Sequence, residues 1–361
     1  MSISITSSQK NQSAYRQFHS CESALLRLVN ELLDLLDGME HQEVTALIAI
    51  DLSAAFDTVD HDILVEVLKN QYSVCGSALE WMDSYLRPRS CSVRVDKIVP
   101  PSISVFGFAD DHIANVRFQP TIIAEKTAIQ DLQNCATVIN DWMNSNKLKM
   151  NTSKTEFIMF GSRQQLNKCS TTDIEICSDK IKVQSCIRYL GAFLDGTINF
   201  KEHIKRKCKT AMLNYFKIKS IRKYLTKEAT EILVLSLVIS HLDYCNVILY
   251  GVANCEVGKL QRIQNMCAKL VLNRKMRDSS KQALYDLHWL PVKARINFKI
   301  LNYMYNCFVG NAPQYLIELL SSKISKRTLR SSESSVGCYV VPYDKKKTFN
   351  DRSFSTVGPK L

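Results

Sequence analysis

The sequence has 361 residues, of which 46% are hydrophobic and 23% are charged, and this balance excludes a predominantly disordered chain. The 47 lysines and arginines outnumber the 35 aspartates and glutamates, so the net charge is +12 and a polyanionic partner is favoured. The 13 cysteines include no pair at C-x-x-C spacing, so neither a disulfide framework nor an ordinary zinc site is indicated.

The first predicted elements are a helix over residues 21–37 and a strand over residues 44–50. Leucine and valine recur at helical spacing in the first, and the second is apolar on both faces, as expected of a central strand covered by helices. Asp51 ends the strand, and a helix is predicted after Asp60, a suitable N-cap.

A tight hairpin is predicted around residues 106–113, where Asp110 and Asp111 stand between short apolar runs with Gly107 just ahead. Strand residues alternate between faces and the turn must be polar, so both acids would lie at the hairpin tip. Divalent cations need more oxygen ligands than this pair supplies, and Asp51 is the best candidate for a third. Taken alone, each acidic motif is more often a turn residue or a helix cap.

The following elements are a helix over residues 129–143 and a strand over residues 157–160. The composition becomes basic from residue 201 to residue 224, with aromatic residues interleaved. Cations can neutralise phosphates and aromatic rings can stack on bases, although a charge run is usually only a solvated helix face. Helical periodicity returns over residues 228–240, 260–271 and 296–308.

Together these motifs resemble the reverse transcriptases of non-LTR (LINE-like, jockey-type) retrotransposons. The resemblance rests on residues 14–20 (AYRQFHS), 51–62 (DLSAAFDTVDHD), 108–111 (FADD), 146–156 (NKLKMNTSKTE), 189–191 (YLG), 241–250 (HLDYCNVILY) and 288–293 (HWLPVK). It implies an α+β fold with right-hand polymerase-like fingers and palm, followed by a mostly helical thumb. The implied boundaries are partial fingers at 1–43, palm at 44–200, a basic thumb-like region at 201–310 and a polar, basic region at 311–361.

The resemblance also implies an RNA-directed DNA polymerase that uses an RNA template, a DNA primer and deoxynucleoside triphosphates. Asp51, Asp110 and Asp111 would be its catalytic acids and would hold two Mg²⁺ ions, or Mn²⁺ in their place. The implied nucleotide-binding residues are Phe56, as the gate beneath the sugar, Lys154, near the triphosphate, and Arg16. The implied contacts to the nucleic-acid backbone are Lys205, Arg206, Lys207, Lys209, Lys217, Lys219, Arg222 and Lys223.

The sequence departs from this family just before the acidic hairpin. The family carries a Gly-rich segment and a long helix there, which line the template and nucleotide pocket. This chain runs directly from Pro101 to Phe106, and the only glycine between Gly76 and Gly161 is Gly107. The resemblance therefore implies an internal deletion in the palm and impaired polymerisation.

Three functions are open at this point. The chain could be a polymerase of a mobile element, a non-catalytic remnant that still binds nucleic acid, or an unrelated two-metal enzyme such as a cyclase. Motifs outside the palm argue against the third, and the missing segment favours the second for actual activity. We expect no endonuclease domain and no membrane association. Because no signal peptide is visible, we also expect a cytoplasmic or nuclear location rather than secretion.

Overall fold

The computed structural model describes residues 13–37, 43–53, 61–70, 72–86, 103–109, 111–145, 149–321, 339–341 and 352–361. The predicted site residues Phe56 and Asp110 lie outside these ranges. The chain divides into two compact units, the first of residues 1–15 and 41–189 and the second of residues 16–40 and 190–361. The boundaries expected for fingers, palm and thumb remain predictions.

The described part is a mixture of helices and strands. Its elements up to the end of the first unit are α1 (Cys21–Asp37), β1 (Val44–Ile50), β2 (Leu52–Ser53), α2 (His61–Asn70), α3 (Ser77–Leu86), β3 (Ile103–Phe108), β4 (Asp111–Phe118), α4 (Ile122–Ser145), β5 (Lys149–Met150), β6 (Glu156–Phe160), α5 (Arg163–Leu166), β7 (Asp173–Ile176), β8 (Asp179–Gln184) and β9 (Cys186–Tyr189). Of these, α1 belongs to the second unit.

The second unit continues with β10 (Ala192–Asp195) and is otherwise helical. Its helices are α6 (Lys201–Ile221), a 3₁₀ turn (Arg222–Tyr224), α7 (Lys227–Val234), a π-helical segment (Leu235–Ile239), α8 (Ser240–Asp243), a 3₁₀ turn (Asn246–Leu249), α9 (Asn254–Val271), α10 (Ser280–Asp286), α11 (Val292–Phe308), α12 (Gln314–Ile317) and α13 (Phe354–Lys360). The helices predicted from periodicity in this region are confirmed. No helix among the described residues combines the length and apolar character needed to cross a membrane.

A six-stranded sheet in the order β3-β4-β1-β6-β8-β7 forms the centre of the first unit. As its sequence predicts, β1 is a central strand, paired antiparallel with both β4 and β6. The side chains of Ala46, Ile48 and Ile50 share one face and belong to the same buried core as Leu132 and Ala136 of α4. Because α4 covers this face, the end of β1 is held firmly where Asp51 follows.

A buried carboxylate ties α4 to the segment that precedes β7. The Glu125 side chain is 1% exposed, and its oxygens accept hydrogen bonds from the backbone N–H groups of Ser170 at 2.8 Å and Thr171 at 2.7 Å. Charge-assisted bonds of this kind are stronger than neutral ones. Glu125 therefore fixes the edge of the sheet from inside the core.

Removing this carboxylate should destabilise the first unit. We expect Glu125→Ala to lower the free energy of unfolding by about 2–3 kcal/mol, because the backbone amides of Ser170 and Thr171 lose a charged acceptor. Glu125→Gln keeps one acceptor oxygen and should lose less. Urea unfolding followed by circular dichroism measures both, and an alanine variant as stable as the wild type would show that water replaces the carboxylate.

Candidate functional site

Two of the three predicted acids lie at the same end of neighbouring strands. Asp51 directly follows β1, and Asp111 is the first residue of β4. In the antiparallel register Ile50 pairs with His112, the last pair of the ladder, and continuing this register by one step would set Asp51 opposite Asp111. Directly opposed residues of antiparallel strands have Cα atoms about 4.5–5.5 Å apart and side chains on one face. The backbone therefore places Asp51 and Asp111 at the same end of two neighbouring strands.

The hairpin predicted around the acids is present. Phe108 at the end of β3 pairs with Asp111 at the start of β4, so only Ala109 and Asp110 separate the strands. Tight two-residue hairpins require left-handed backbone, and Ala109 has a φ of 56°. Asp110 itself lies outside the described residues, so its side chain is not placed here.

Among the residues that the structure describes, Lys154 is a cation that lies beside Asp51. Its Nζ lies 3.3 Å from Asp51 Oδ2, with 66% of the lysine side chain and 32% of the aspartate side chain exposed. Exposed ion pairs of this kind contribute about 0.2–1 kcal/mol. The structure thus brings together two predicted site residues that are about a hundred positions apart in the sequence.

The turn that carries Lys154 is fixed to the backbone of Asp51. Asn151 N donates to Asp51 O at 2.9 Å, and Asn151 O accepts from Lys154 N at 3.1 Å and from Thr155 N at 2.9 Å. The Ser153 hydroxyl adds a bond to Asn151 Oδ1 at 2.7 Å. These bonds set the position of Lys154 Cα relative to Asp51 independently of the ion pair.

Asp51 offers an oxygen suited to a metal ion. Its Oδ2 is shielded from solvent and accepts no hydrogen bond from any described residue, although Lys154 Nζ is within ion-pair distance. Magnesium prefers carboxylate oxygens of this kind. Within the described ranges, no three His, Cys, Asp or Glu side chains are grouped so that they could hold a metal. The described part therefore supplies two acids of the predicted triad, and the third falls outside it.

The other predicted nucleotide-binding residues are Arg16 and Phe56. Arg16 belongs to the second unit, in the segment just before α1, whereas Asp51 and Asp111 belong to the first. Phe56 lies outside the described residues. Lys154 lies beside Asp51, and the roles of Arg16 and Phe56 stay predictions.

The basic stretch predicted to contact nucleic acid forms most of α6. Exposed lysines lie along this helix and the turn after it: Lys201, Lys205, Lys209, Lys217, Lys219 and Lys223. Phe216 and Tyr224 are also exposed, at 54% and 76%. Lys209, Lys217 and Lys219 form no ion pair with a described residue. This surface therefore presents uncompensated cations together with aromatic rings.

Two of the predicted cations point into the second unit instead. Lys207 Nζ donates to the backbone oxygens of His241 at 2.8 Å and Tyr244 at 2.5 Å, and burial lowers its pKa to about 8. The guanidinium of Arg222 donates to Leu270 O at 2.9 Å and so caps the end of α9. Both donors are engaged within the chain, which conflicts with their predicted role as backbone ligands.

Lys205 and Arg206 are partly neutralised at the start of α6. Arg206 Nε lies 2.8 Å from a Glu202 oxygen, and Lys205 Nζ lies 3.6 Å from the other. The hydrogen bond from Arg206, with the nearby Lys205 charge, lowers the pKa of Glu202. Arg206 also stacks 4.2 Å from the ring centre of Phe193. These two cations face solvent, but part of their charge is offset locally.

The entry into α6 contains a buried histidine that sequence patterns did not reveal. His203 is 1% exposed, and its Nδ1 accepts a hydrogen bond from Phe193 N at 3.2 Å. Burial is the main cause that lowers the pKa of His203 to about 3, so the ring is neutral near pH 7. In the sequence, the burial of His203 could have been inferred from its helical spacing to Ile204 and Ala211, which lie on the buried face of α6.

The preceding loop is held by one carboxylate. Asp195 accepts hydrogen bonds from the backbone N–H groups of Phe200 at 2.8 Å and Asn199 at 3.1 Å, and from the Thr197 hydroxyl at 2.9 Å. These bonds satisfy amides at the start of α6 that have no acceptor inside the helix. The basic helix therefore begins at a well-defined position.

Comparison with known proteins supports the resemblance drawn from the motifs. No family model matches the chain. A probable RNA-directed DNA polymerase from the transposon BS of Drosophila melanogaster is 25% identical over 312 residues, a match that covers 72% of this chain. The same match covers 32% of that protein, so the chain spans about a third of the relative's length.

Proposed function

We propose that this chain, a relative of transposon-encoded RNA-directed DNA polymerases, is a reverse transcriptase domain of the non-LTR type whose polymerisation is impaired. The observation that carries the proposal is the β1–β4 register, whose continuation by one residue would set Asp51 opposite Asp111, next to the two-residue turn that contains Asp110. A strand end, an adjacent acidic hairpin and a following basic helix are the parts that a palm and thumb require. The first unit would provide the palm, and the helices from residue 201 onwards would provide the thumb.

The three acids would form the metal site of this polymerase. Asp51, Asp110 and Asp111 would hold two Mg²⁺ ions, which lower the pKa of a primer 3′-hydroxyl and stabilise the transferred phosphoryl group when they are bound. The shielded oxygen of Asp51 supports this assignment. Lys154 would approach the triphosphate, and Phe56 and Arg16 would position the incoming nucleotide.

We infer impaired polymerisation because the Gly-rich segment and long helix of the family are missing ahead of the hairpin. β3 begins at Ile103, two residues after Pro101, so the Gly-rich segment and helix of the family have no counterpart there. Without this segment and helix, the template and the nucleotide would be held poorly even if the three acids come together.

A non-catalytic role in nucleic-acid binding is the second candidate. The observation that favours it is the presence, near Phe216 and Tyr224 in the chain, of exposed lysines on α6 that form no ion pair with a described residue, namely Lys209, Lys217 and Lys219. Cations of this kind bind phosphates without sequence preference, and aromatic rings stack on any base. The RNA template and the DNA primer would therefore still bind even if the chain does not catalyse polymerisation.

Metal binding tests the proposed site directly. We expect the full chain to bind Mn²⁺, followed by electron paramagnetic resonance, and Asp51→Asn to weaken this binding by about tenfold or more, because a metal ligand is lost. Asp173→Asn, at an exposed acid on the edge strand β7, is the matched control and should bind as the wild type does. Equal binding by the Asp51 and Asp173 variants would remove Asp51 from the metal site.

A further inference from the structure

We propose that Lys154 is an internal counter-ion of Asp51 that occupies the cation position when no metal is bound and competes with metal for that carboxylate. The inference rests on the proposed metal site and concerns its regulation. It assigns Lys154 a role in the metal-free protein, separate from the predicted contact with a triphosphate.

Geometry is the first support for this role. Asp51 Oδ2 is shielded from solvent and receives no hydrogen bond from the described residues, and the one described cation within ion-pair distance is Lys154 Nζ at 3.3 Å. A carboxylate oxygen that faces neither water nor a hydrogen-bond donor is unfavourable unless a positive charge is close. Lys154 supplies that charge.

The backbone shows that the pairing is built into the fold. The turn from Asn151 to Thr155 is closed by two hydrogen bonds to Asn151 O, and Asn151 N in turn donates to Asp51 O. Thr152 Oγ1 adds a bond of 2.6 Å to Asp179 at the start of β8. The anchored turn keeps Lys154 near Asp51 even when its ammonium moves away.

The side chain itself can leave. Two-thirds of the Lys154 side chain is exposed, and an ammonium on a four-carbon stem can turn into solvent without disturbing the backbone. A divalent ion in contact with Asp51 Oδ2 would repel the ammonium from its present position. Neighbouring carboxylates also repel each other when no cation is present, which favours a resident positive charge. Lys154 therefore stabilises the metal-free site and weakens metal binding by the same amount.

The test compares Mn²⁺ affinity by electron paramagnetic resonance in the full-length wild type, Lys154→Met and Lys154→Arg. We expect Lys154→Met to bind Mn²⁺ between about 1.4-fold and fivefold more tightly, the range that corresponds to an exposed ion pair of about 0.2–1 kcal/mol. Lys154→Arg keeps the charge and should stay near the wild-type affinity. Lys168→Met, at an exposed loop lysine of the first unit, is the matched control and should change nothing.

Thermal unfolding gives a readout that does not depend on bound metal. In EDTA we expect Lys154→Met to unfold up to about 4 °C below the wild type, with the difference reduced or reversed in saturating Mg²⁺. Mn²⁺ affinity of Lys154→Met equal to that of a metal-binding wild type would overturn the counter-ion role and leave the metal site intact. Absence of Mn²⁺ binding by the wild type would overturn both the metal site and this inference.

Discussion

Raising the salt concentration from 50 to 200 mM should weaken the binding of this chain to an RNA–DNA primer–template by about 10²-fold to 10³-fold, the loss that corresponds to about four to six phosphate contacts. The cations that would make these contacts are Lys201, Lys205, Lys209, Lys217, Lys219 and Lys223. Binding of each phosphate releases counterions, so the dependence of affinity on salt counts the contacts. Fluorescence anisotropy over a salt series measures both affinity and slope.

A charge-matched pair of variants locates the surface. We expect Lys209→Gln, Lys217→Gln and Lys219→Gln together to reduce the slope of log affinity against log salt concentration. The reduction should correspond to about two to three phosphate contacts, because these lysines have no ion pair within the described residues. The control is the triple change to glutamine at the exposed positions Lys275, Lys281 and Lys293 of the same unit. If both triple variants lower the slope equally, net charge rather than α6 determines binding.

Acidification should destabilise the second unit through His203. Its folded-state pKa of about 3 lies below the ordinary value of 6.5, so between these pH values the unfolded chain binds a proton that the folded chain does not. The free energy of unfolding should therefore fall by about 1.4 kcal/mol per pH unit below pH 6.5, to a total of about 4 kcal/mol near pH 3. Above pH 6.5 this contribution is constant.

Replacement of the imidazole isolates the effect. His203→Gln keeps an acceptor for Phe193 N but cannot titrate, so the part of the pH dependence due to His203 should disappear. His288→Gln, at an exposed histidine of the same unit, should leave the pH dependence of chemical unfolding unchanged. A His203→Gln variant with the wild-type slope would show that other groups cause the acid sensitivity.

The regular helices and strands were predictable because their buried residues recur at the characteristic spacing of each element. The apolar run of β1 and the 21–37 helix follow from spacing, and the acidic pair Asp110–Asp111 between short apolar runs predicted the β3–β4 hairpin. A pairing of the strand before Asp51 with the acidic hairpin was expected from the resemblance, and the β1–β4 register supplies the residue-level alignment.

Individual side-chain partners could not be predicted in the same way. Lys207 and Arg222 belong to the same charge run as Lys217, yet their donors bind backbone oxygens of α8 and α9. Sequence spacing gives the face of a helix but not the carbonyl groups that a neighbouring helix presents. The pairing of Lys154 with Asp51 likewise depends on one turn whose position is set by Asn151, which no local pattern reveals.

Extension of a DNA primer on an RNA template with Mg²⁺, measured alongside binding of the same primer–template, tests the central claim most directly. We expect the wild type to bind the substrate and to extend it weakly or not at all, with Asp110→Asn binding equally well and extending nothing. Efficient extension by the wild type that is lost in Asp110→Asn would contradict impairment and show that the missing segment is dispensable. Failure of the wild type to bind the primer–template would contradict the proposed nucleic-acid surface.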